Sequence, residues 1–314
     1  MGIEKVDPGH ALKTYRYLRM GIVGTVLLLG VSIGWEFREV AWGCMQTSIS
    51  AYYYTPVRAI FVGALMAIGL ALIVIKGRPV QDVALNIAGM FAPVVAIIPT
   101  SGMGKCWSRT PDPEPLNKTT KDLEPWVVDN IENNFYALVI AGIAGLVIAC
   151  WLAYRDRSKQ PPTGELEKNM RQLEESMRTS AVITGAILLL SLLLKMNYGG
   201  FTDNAHNWFA GLMFVALNIA MVAEAIEARK RSSKYSGWYW FLSGLMALAG
   251  PAVWGIAAAK GVNHHILIIE AWEITVFAVF WVVQTADNWH LDLAVAGEAS
   301  GPPGGSAASA GAGR

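Results

Sequence analysis

Two glutamates inside an apolar segment are the residues of this sequence best placed to do chemistry. Glu270 and Glu273 are three residues apart, so a helix would carry both on one face. His264 and His265 stand just before them at the start of the same segment. Carboxylates and imidazoles in this arrangement could bind a divalent metal, relay a proton or hold the polar part of a ligand.

A further histidine, His206, opens an earlier apolar segment together with Asp203. No two histidines have the i, i+4 spacing of a helical metal pair, so the sequence does not define a metal site. The competing interpretation places the histidines at a membrane surface and treats the glutamates as protonated or paired. A haem would need histidines well inside facing helices, and these lie at segment ends. We therefore predict no cofactor.

The segment 48–58 reads SISAYYYTPVR and is the most distinctive local string. Pro56 suits the first turn of a following helix, where its missing N–H has no consequence. Tyrosine rings suit a membrane interface, with the hydroxyl groups toward water. Ser50, Tyr53 and Arg58 are therefore candidates to bind a lipid headgroup or another ligand. The competing interpretation is a helix cap with an aromatic anchor.

The composition of the chain and the length of its apolar segments indicate that these residues lie on membrane-spanning helices. The chain has 314 residues, of which 54% are hydrophobic and 16% are charged, whereas soluble domains carry about 25% charged residues. A bilayer core about 30 Å thick requires roughly 20 apolar residues per helix, and eight segments meet that length. The sequence therefore predicts an all-α polytopic transmembrane bundle. The predicted helices cover residues 18–36, 57–76, 82–101, 133–154, 179–197, 206–227, 238–259 and 264–286.

Basic residues predict the orientation of this bundle. Sixteen Lys and Arg residues fall on the side of the N-terminus and six on the opposite side, not counting Arg58 and Lys195 at helix ends and Arg314 in the C-terminal tail. The excess marks the cytoplasmic side, and an even number of helices places the C-terminus there too. We expect a cytoplasmic N-terminus over 1–17, a transmembrane domain over 18–290 and a disordered cytoplasmic tail over 291–314.

Two longer loops connect the predicted helices. The external loop 102–131 is rich in Pro, Asp and Glu. Apolar residues recur at helical spacing in the internal loop 155–178, at Leu166, Met170, Leu173 and Met177. Two interpretations of the internal loop stay open. It is either an amphipathic helix on the inner membrane surface or a solvated extension of the fifth membrane helix.

The three cysteines fall on different sides of the predicted membrane. Cys44 and Cys106 lie in external loops, where disulfides can form, so we predict a bond between them. Cys150 lies near the inner end of the fourth helix and should stay reduced. Two free external thiols are the alternative.

Polar residues within the predicted helices have structural explanations as well as functional ones. Asp82 and Asn86 are spaced i, i+4 and are followed by Gly89, a pattern that also fits helix capping and a small-residue packing contact. Glu224 and Glu227 come just before a basic stretch, which is typical of a charged helix end at the membrane surface.

The segment from Ser48 through Arg58, the run from Asn86 to Gly89 and the position of His206 together resemble bacterial membrane proteins of the DUF998 type. They are more distantly similar to Frag1/DRAM membrane proteins. That resemblance implies a helical bundle in a bacterial plasma membrane and carries no catalytic residues with it. A remoter similarity is to the alkaline ceramidase superfamily, whose members bind zinc through three histidines and an aspartate. This chain lacks their HxxxH pair.

Two functions follow as expectations. The first is a non-enzymatic multi-pass protein of the plasma membrane that binds, senses or transports a lipid or small amphiphile. The second is a metal-dependent lipid hydrolase with its site in the outer leaflet. We expect membrane lipids and a small amphiphilic ligand as partners, leave a homo-oligomer open and, with a net charge of +1, expect no nucleic acid.

Overall fold

The computed structural model describes residues 8–40, 45–75, 77–100, 125–156, 165–197, 201–260 and 264–299. Within these ranges the chain forms eight α-helices, one short 3-10 helix and no strand. The α-helices are α1 Pro8–Glu39, α2 Arg58–Val74, α3 Pro79–Ile97, α4 Pro125–Asp156, α5 Glu165–Asn197, α6 Phe201–Lys230, α7 Ser236–Lys260 and α8 His265–Ala299. The 3-10 helix, Ser50–Tyr54, lies between α1 and α2. The predicted all-α bundle is confirmed.

Seven of these helices are long and apolar enough to cross a membrane. The exception, α2, is equally apolar but has 17 residues, which corresponds to about 25 Å at 1.5 Å per residue. Large apolar side chains such as Leu70 and Ile140 are 65% and 67% exposed on the outside of the bundle. Such a surface is stable against lipid and not against water. The chain is a multi-pass membrane protein.

The third membrane helix, α3, is the centre of the bundle. It packs along α2 and α6, and 13 of its 19 residues are buried. Pro79 starts the helix, where no hydrogen bond is lost, and Pro93 lies within it. The range predicted for this helix, 82–101, lies three to four residues too late.

The first and last helices meet at one end of the bundle. The Arg16 guanidinium donates to the carbonyl of Trp289 at 2.9 Å and lies 4.3 Å from the centre of its ring. The two helices are therefore antiparallel, and both ends of the described chain are on the same side, as an even helix number requires. We call this side the inner end and the side of the 3-10 helix the outer end.

Several helices extend beyond their predicted bounds. Helix α5 begins at Glu165, so the described part of the internal loop continues the fifth membrane helix. Helix α8 continues to Ala299, which includes the first nine residues of the tail, 291–314, that the sequence predicts to be disordered. Hydropathy detects the part of a helix that faces lipid, whereas the helical backbone can continue into water. The external loop is shorter than predicted, since α4 begins at Pro125.

Candidate ligand site

The outer end of the bundle is built around the segment 48–58. Ser48 Oγ accepts a hydrogen bond from the Ala51 backbone N–H at 3.1 Å, which starts the 3-10 helix. Tyr52 and Tyr53 are buried against the core. Burial raises the pKa of Tyr52 to about 12, so its hydroxyl stays neutral at physiological pH. The tyrosines are packing residues rather than headgroup anchors exposed to lipid.

Glu270 joins this segment to α8. One carboxylate oxygen accepts the backbone N–H of Ile49 at 2.5 Å, and the other accepts the Ser50 hydroxyl at 3.4 Å. Nearby, the Leu267 N–H donates to the Thr47 carbonyl at 3.0 Å. The sequence selected Ser50 and Glu270 independently, and the fold brings them together.

An apolar cavity of about 60 Å³ lies directly beneath this contact. Its lining comes from α1, α2, α3, α6, α8 and the 3-10 segment, and its polar side chains are those of Ser50 and Glu270. The apolar lining residues are Val26, Leu29, Ile49, Phe61, Leu65, Ile68, Leu72, Val95, Ala210, Met213, Phe214, Leu217, Ile274 and Phe277. On α2 the lining runs from Phe61 to Leu72, about 16 Å along the helix axis. The cavity is therefore long and narrow, with its polar groups at the outer end.

The other predicted residues of α8 lie beside the cavity rather than in its lining. Glu273 is one turn below Glu270 and half-buried, and the two carboxylates are close enough for their charges to interact. His264 and His265 stand half-buried at the outer start of the helix. The described contacts of Glu270 are with Ile49 and Ser50, not with either histidine.

Arg58 contacts a tyrosine of its own segment and not the glutamates. Its guanidinium donates to the Tyr53 hydroxyl at 2.9 Å and lies 4.4 Å from the centre of the same ring. A cation over an aromatic face is stabilised by the ring quadrupole. Arg58 and Tyr53 therefore form a local pair at the start of α2.

His206 is also separate from the glutamates. Its side chain is 2% exposed, and its Nδ1 donates to the carbonyl of Ile98 at 2.6 Å. Ile98 caps the C-terminus of α3, where backbone carbonyls have no partner within the helix. His206 thus ties the start of α6 to the end of α3, and a structural role accounts for it.

No three His, Cys, Asp or Glu side chains come together as a metal site within the described residues. The side chain of Asp203, which the sequence placed beside His206, is outside the described part of the chain, as are Cys44 and Cys106. Nothing in the described geometry therefore favours a metal-dependent hydrolase.

One buried carboxylate at the outer end was not predicted from the sequence. Glu36 on α1 is 5% exposed and lies close enough to Tyr52 for its charge to act on the tyrosine hydroxyl. Its position, three residues after Ile33 and seven after Leu29, continues the apolar face of α1. That spacing was the available signal, because a helix-end glutamate on an apolar face is directed into the bundle.

A second polar cluster closes the inner end. Arg231 bonds at 3.0 Å both to Glu224 on α6 and to Asp287 on α8. Ser233 and Tyr239 donate to Asp287 as well, at 2.6 and 3.0 Å. Burial disfavours the charged form of Arg231, but the hydrogen bonds and charges of Glu224 and Asp287 outweigh it and raise its pKa further. Arg231 therefore remains a cation at every accessible pH.

The turn between α6 and α7 places Arg231 in this cluster. Ser232 has a positive φ of 54°, and the Ser233 N–H returns to the Ala228 carbonyl at 2.9 Å. This is the Schellman ending of a helix, usually built with glycine. The left-handed residue reverses the chain just after Arg231, so that its guanidinium meets both carboxylates.

A groove between α3, α5 and α6 lies nearer the inner end. It is larger, with a volume of about 450 Å³, and its lining includes Val80, Ile87 and Ile219 together with Glu175 and Thr179. Val80 and Ile219 are exposed on the outside of the bundle. The groove therefore opens sideways, toward the surface that lipid covers.

The fold and this site define a polytopic α-helical membrane protein with an apolar cavity that ends in a carboxylate. No family model, curated protein or solved structure matches the chain.

Proposed function

We propose that this chain binds a lipid or other small amphiphile in the plasma membrane, with the apolar tail in the cavity and the polar head at Glu270 and Ser50. The cavity itself carries the proposal, because it is an apolar space that follows α2 from Phe61 to Leu72 and has polar groups at its outer end. Binding pockets of this kind are typically apolar with a few convergent polar groups that fix orientation. Sensing and transport both begin with this binding step.

The extent and lining of the cavity support an apolar ligand. The cavity extends from the 3-10 helix at the outer end to Leu72 on α2, and α8 supplies Glu270 to its upper part and Phe277 to its lower part. An apolar cavity of this type does not hold water well, since water needs two to four polar partners. A hydrocarbon chain would replace the missing contacts of the lining residues.

A photoactivatable fatty alcohol, with a diazirine near the end of its chain, tests the proposal. The purified protein in nanodiscs is labelled under light, digested and analysed by mass spectrometry. We expect labelling of cavity residues on α2 and α6, such as Ile68 and Met213. An excess of unlabelled alcohol should compete for these labels and not for labels on lipid-facing residues such as Leu70.

A matched pair of substitutions gives the control. Ala210→Leu adds bulk inside the cavity lining, whereas Ala247→Leu adds the same bulk on the exposed face of α7. Cavity labelling should fall with the first and persist with the second, provided that both proteins keep their gel-filtration profile. Labelling confined to lipid-facing positions in the unmodified protein would refute the proposal.

A further inference from the structure

The carboxyl group of Glu270 borders the outer end of the cavity, and that of Glu273 lies beside it. Across the part of the chain that the structure describes, the ion pairs of Lys and Arg involve neither Glu270 nor Glu273. Arg58 contacts Tyr53. The half-buried Glu273 makes no hydrogen bond among the described residues, and it lies close enough to Glu270 for the two carboxyl groups to interact electrostatically.

The hydrogen bonds of Glu270 leave room for a further partner. An ionised carboxylate has about four acceptor positions, and two donor residues occupy about three of them, Ile49 through its N–H and Ser50 through its hydroxyl and its backbone N–H. Both donor residues lie on the 3-10 segment, and the Glu270 side chain also borders the cavity. A cationic group in the cavity mouth could therefore reach the remaining acceptor position without displacing either donor.

Charge then discriminates between headgroups. An unpaired charge inside a membrane protein is costly, and a buried partner of opposite sign offsets that cost. An ammonium head would pair with the Glu270 carboxylate and would also be attracted by that of Glu273 beside the cavity, whereas a neutral hydroxyl would only donate a hydrogen bond. A phosphate or sulfate head would be repelled. On the basis of the proposed function, we infer that the ligand is a single-chain amphiphile with a cationic amine headgroup that pairs with Glu270 and is attracted by the neighbouring Glu273.

The inference is tested by competition against the photoactivatable alcohol. Three competitors share one alkyl tail and differ in the head, which is a primary ammonium, a hydroxyl or a sulfate. We expect the alkylammonium to reduce cavity labelling at concentrations at least about tenfold lower than the alcohol, and the alkyl sulfate to compete worst. Equal potency of the ammonium and the alcohol, or a preference for the sulfate, would overturn the inference.

Two isosteric variants assign the preference to the carboxylates. Glu270→Gln keeps an acceptor for Ile49, and Glu273→Gln changes a residue without a described hydrogen bond, so both should fold. Each should reduce the ammonium preference several-fold, and the double variant should abolish it while the alcohol still labels the cavity. Glu175→Gln, a change of an exposed glutamate on α5, should leave the preference intact. A preference that survives the double variant would exclude these carboxylates as its source.

The outcome separates this inference from the proposed function. If the alcohol labels the cavity but the headgroups compete equally, amphiphile binding stands and the amine assignment fails. If no probe labels the cavity, both fail. Only labelling together with a carboxylate-dependent ammonium preference supports both.

Discussion

The backbone of α2 at Gly69 lies directly against the backbone of α3 at Gly89. A Cβ atom added to Gly69 would lie 2.7 Å from the Gly89 carbonyl oxygen, and one added to Gly89 would lie 2.6 Å from the Gly69 carbonyl oxygen. Real Cβ atoms do not approach backbone oxygens so closely, so the helices would have to separate. Small residues permit such close contact between membrane helices. This contact keeps α2 against the central helix, and α2 supplies part of the cavity lining.

We predict that Gly69→Ala or Gly89→Ala destabilises the protein by about 1–3 kcal/mol, the usual cost of inserting a methyl group into a close-packed site. Gly63→Ala on the same helix is the control, because nothing lies within 4 Å of its added Cβ. Thermal unfolding in detergent should show lower midpoints for the first two variants and no loss for Gly63→Ala. Equal midpoints for all three would contradict the close approach.

Much of this fold follows from the sequence. The hydropathy of eight segments predicts the helices, and the prolines and polar residues of α3 indicate that it is interior. Helix ends such as those of α1 and α8 are harder to predict, since they continue in water, where hydropathy carries no information. One side of the Gly69–Gly89 contact was predicted. The sequence indicated Gly89 as a small residue in a packing contact, but it did not indicate Gly69 as the partner.

The site was predicted only in part, and the reason is geometric. Glu270 and Ser50 are 220 residues apart in sequence, and their residue types alone drew attention to both. Their contact depends on how α1 and α8 position the 3-10 segment, which no local pattern encodes. Histidine is a common metal ligand, but His206 instead caps the C-terminus of α3. Glu224 was interpreted as part of a charged helix end at the membrane surface, and it is buried against Arg231.

Removing Arg231 should destabilise the inner end strongly. Arg231→Ala leaves Glu224 and Asp287 with side chains only 5% and 7% exposed and without their shared cation. Loss of one partner from a buried ion pair costs about 3–5 kcal/mol. Arg231→Lys should be intermediate, because an ammonium cannot present the planar fork of donors that a guanidinium does. Thermal unfolding in detergent measures both effects.

Two neighbouring substitutions control for the loss of positive charge. Arg229→Ala changes an exposed residue of the same helix, and Arg78→Ala breaks an ion pair with Glu227 in which the arginine side chain is 48% exposed. Surface pairs contribute about 0–1 kcal/mol, so both variants should remain close to the unmodified protein. A drop as large as that of Arg231→Ala in either control would show that net charge, and not the buried cluster, is responsible.

The orientation of the bundle remains a prediction from its basic residues. A reporter that is active only in the cytoplasm should give a signal when fused after residue 160. A reporter active only outside the cytoplasm should give a signal after residue 115. These positions lie on either side of α4, so the two signals must differ if that helix spans the membrane. The reversed pattern would invert the assignment of inner and outer ends.

The predicted disulfide between Cys44 and Cys106 depends on that orientation. Protein purified without reductant and denatured should have one maleimide-reactive thiol, that of Cys150, which is exposed on α4. Reduction before labelling should increase the number to three, which a mass shift per thiol records. Cys150→Ser should remove the signal from the unreduced protein. Three reactive thiols without reduction would rule out the bond.

Glu270 should contribute to stability as well as to ligand binding, and the two roles can be separated. Glu270→Ala removes the acceptor of the Ile49 N–H, and a buried donor without a partner costs about 1–3 kcal/mol. Glu270→Gln keeps an amide oxygen at the same place and should lose less. Glu273→Ala removes no described hydrogen bond, so its effect should stay within about 0.5 kcal/mol.

The measurement is thermal unfolding in detergent without added amphiphile, which excludes stabilisation by the ligand. We expect the midpoint of Glu273→Ala to be close to that of the unmodified protein. The midpoint of Glu270→Gln should be lower, and that of Glu270→Ala should be the lowest. Such an order means that the acceptor oxygens of Glu270 hold the 3-10 helix against α8, and that a glutamine amide replaces them only in part. If the glutamine variant falls as far as the alanine variant, the charge itself stabilises the segment and the hydrogen bond to Ile49 contributes little.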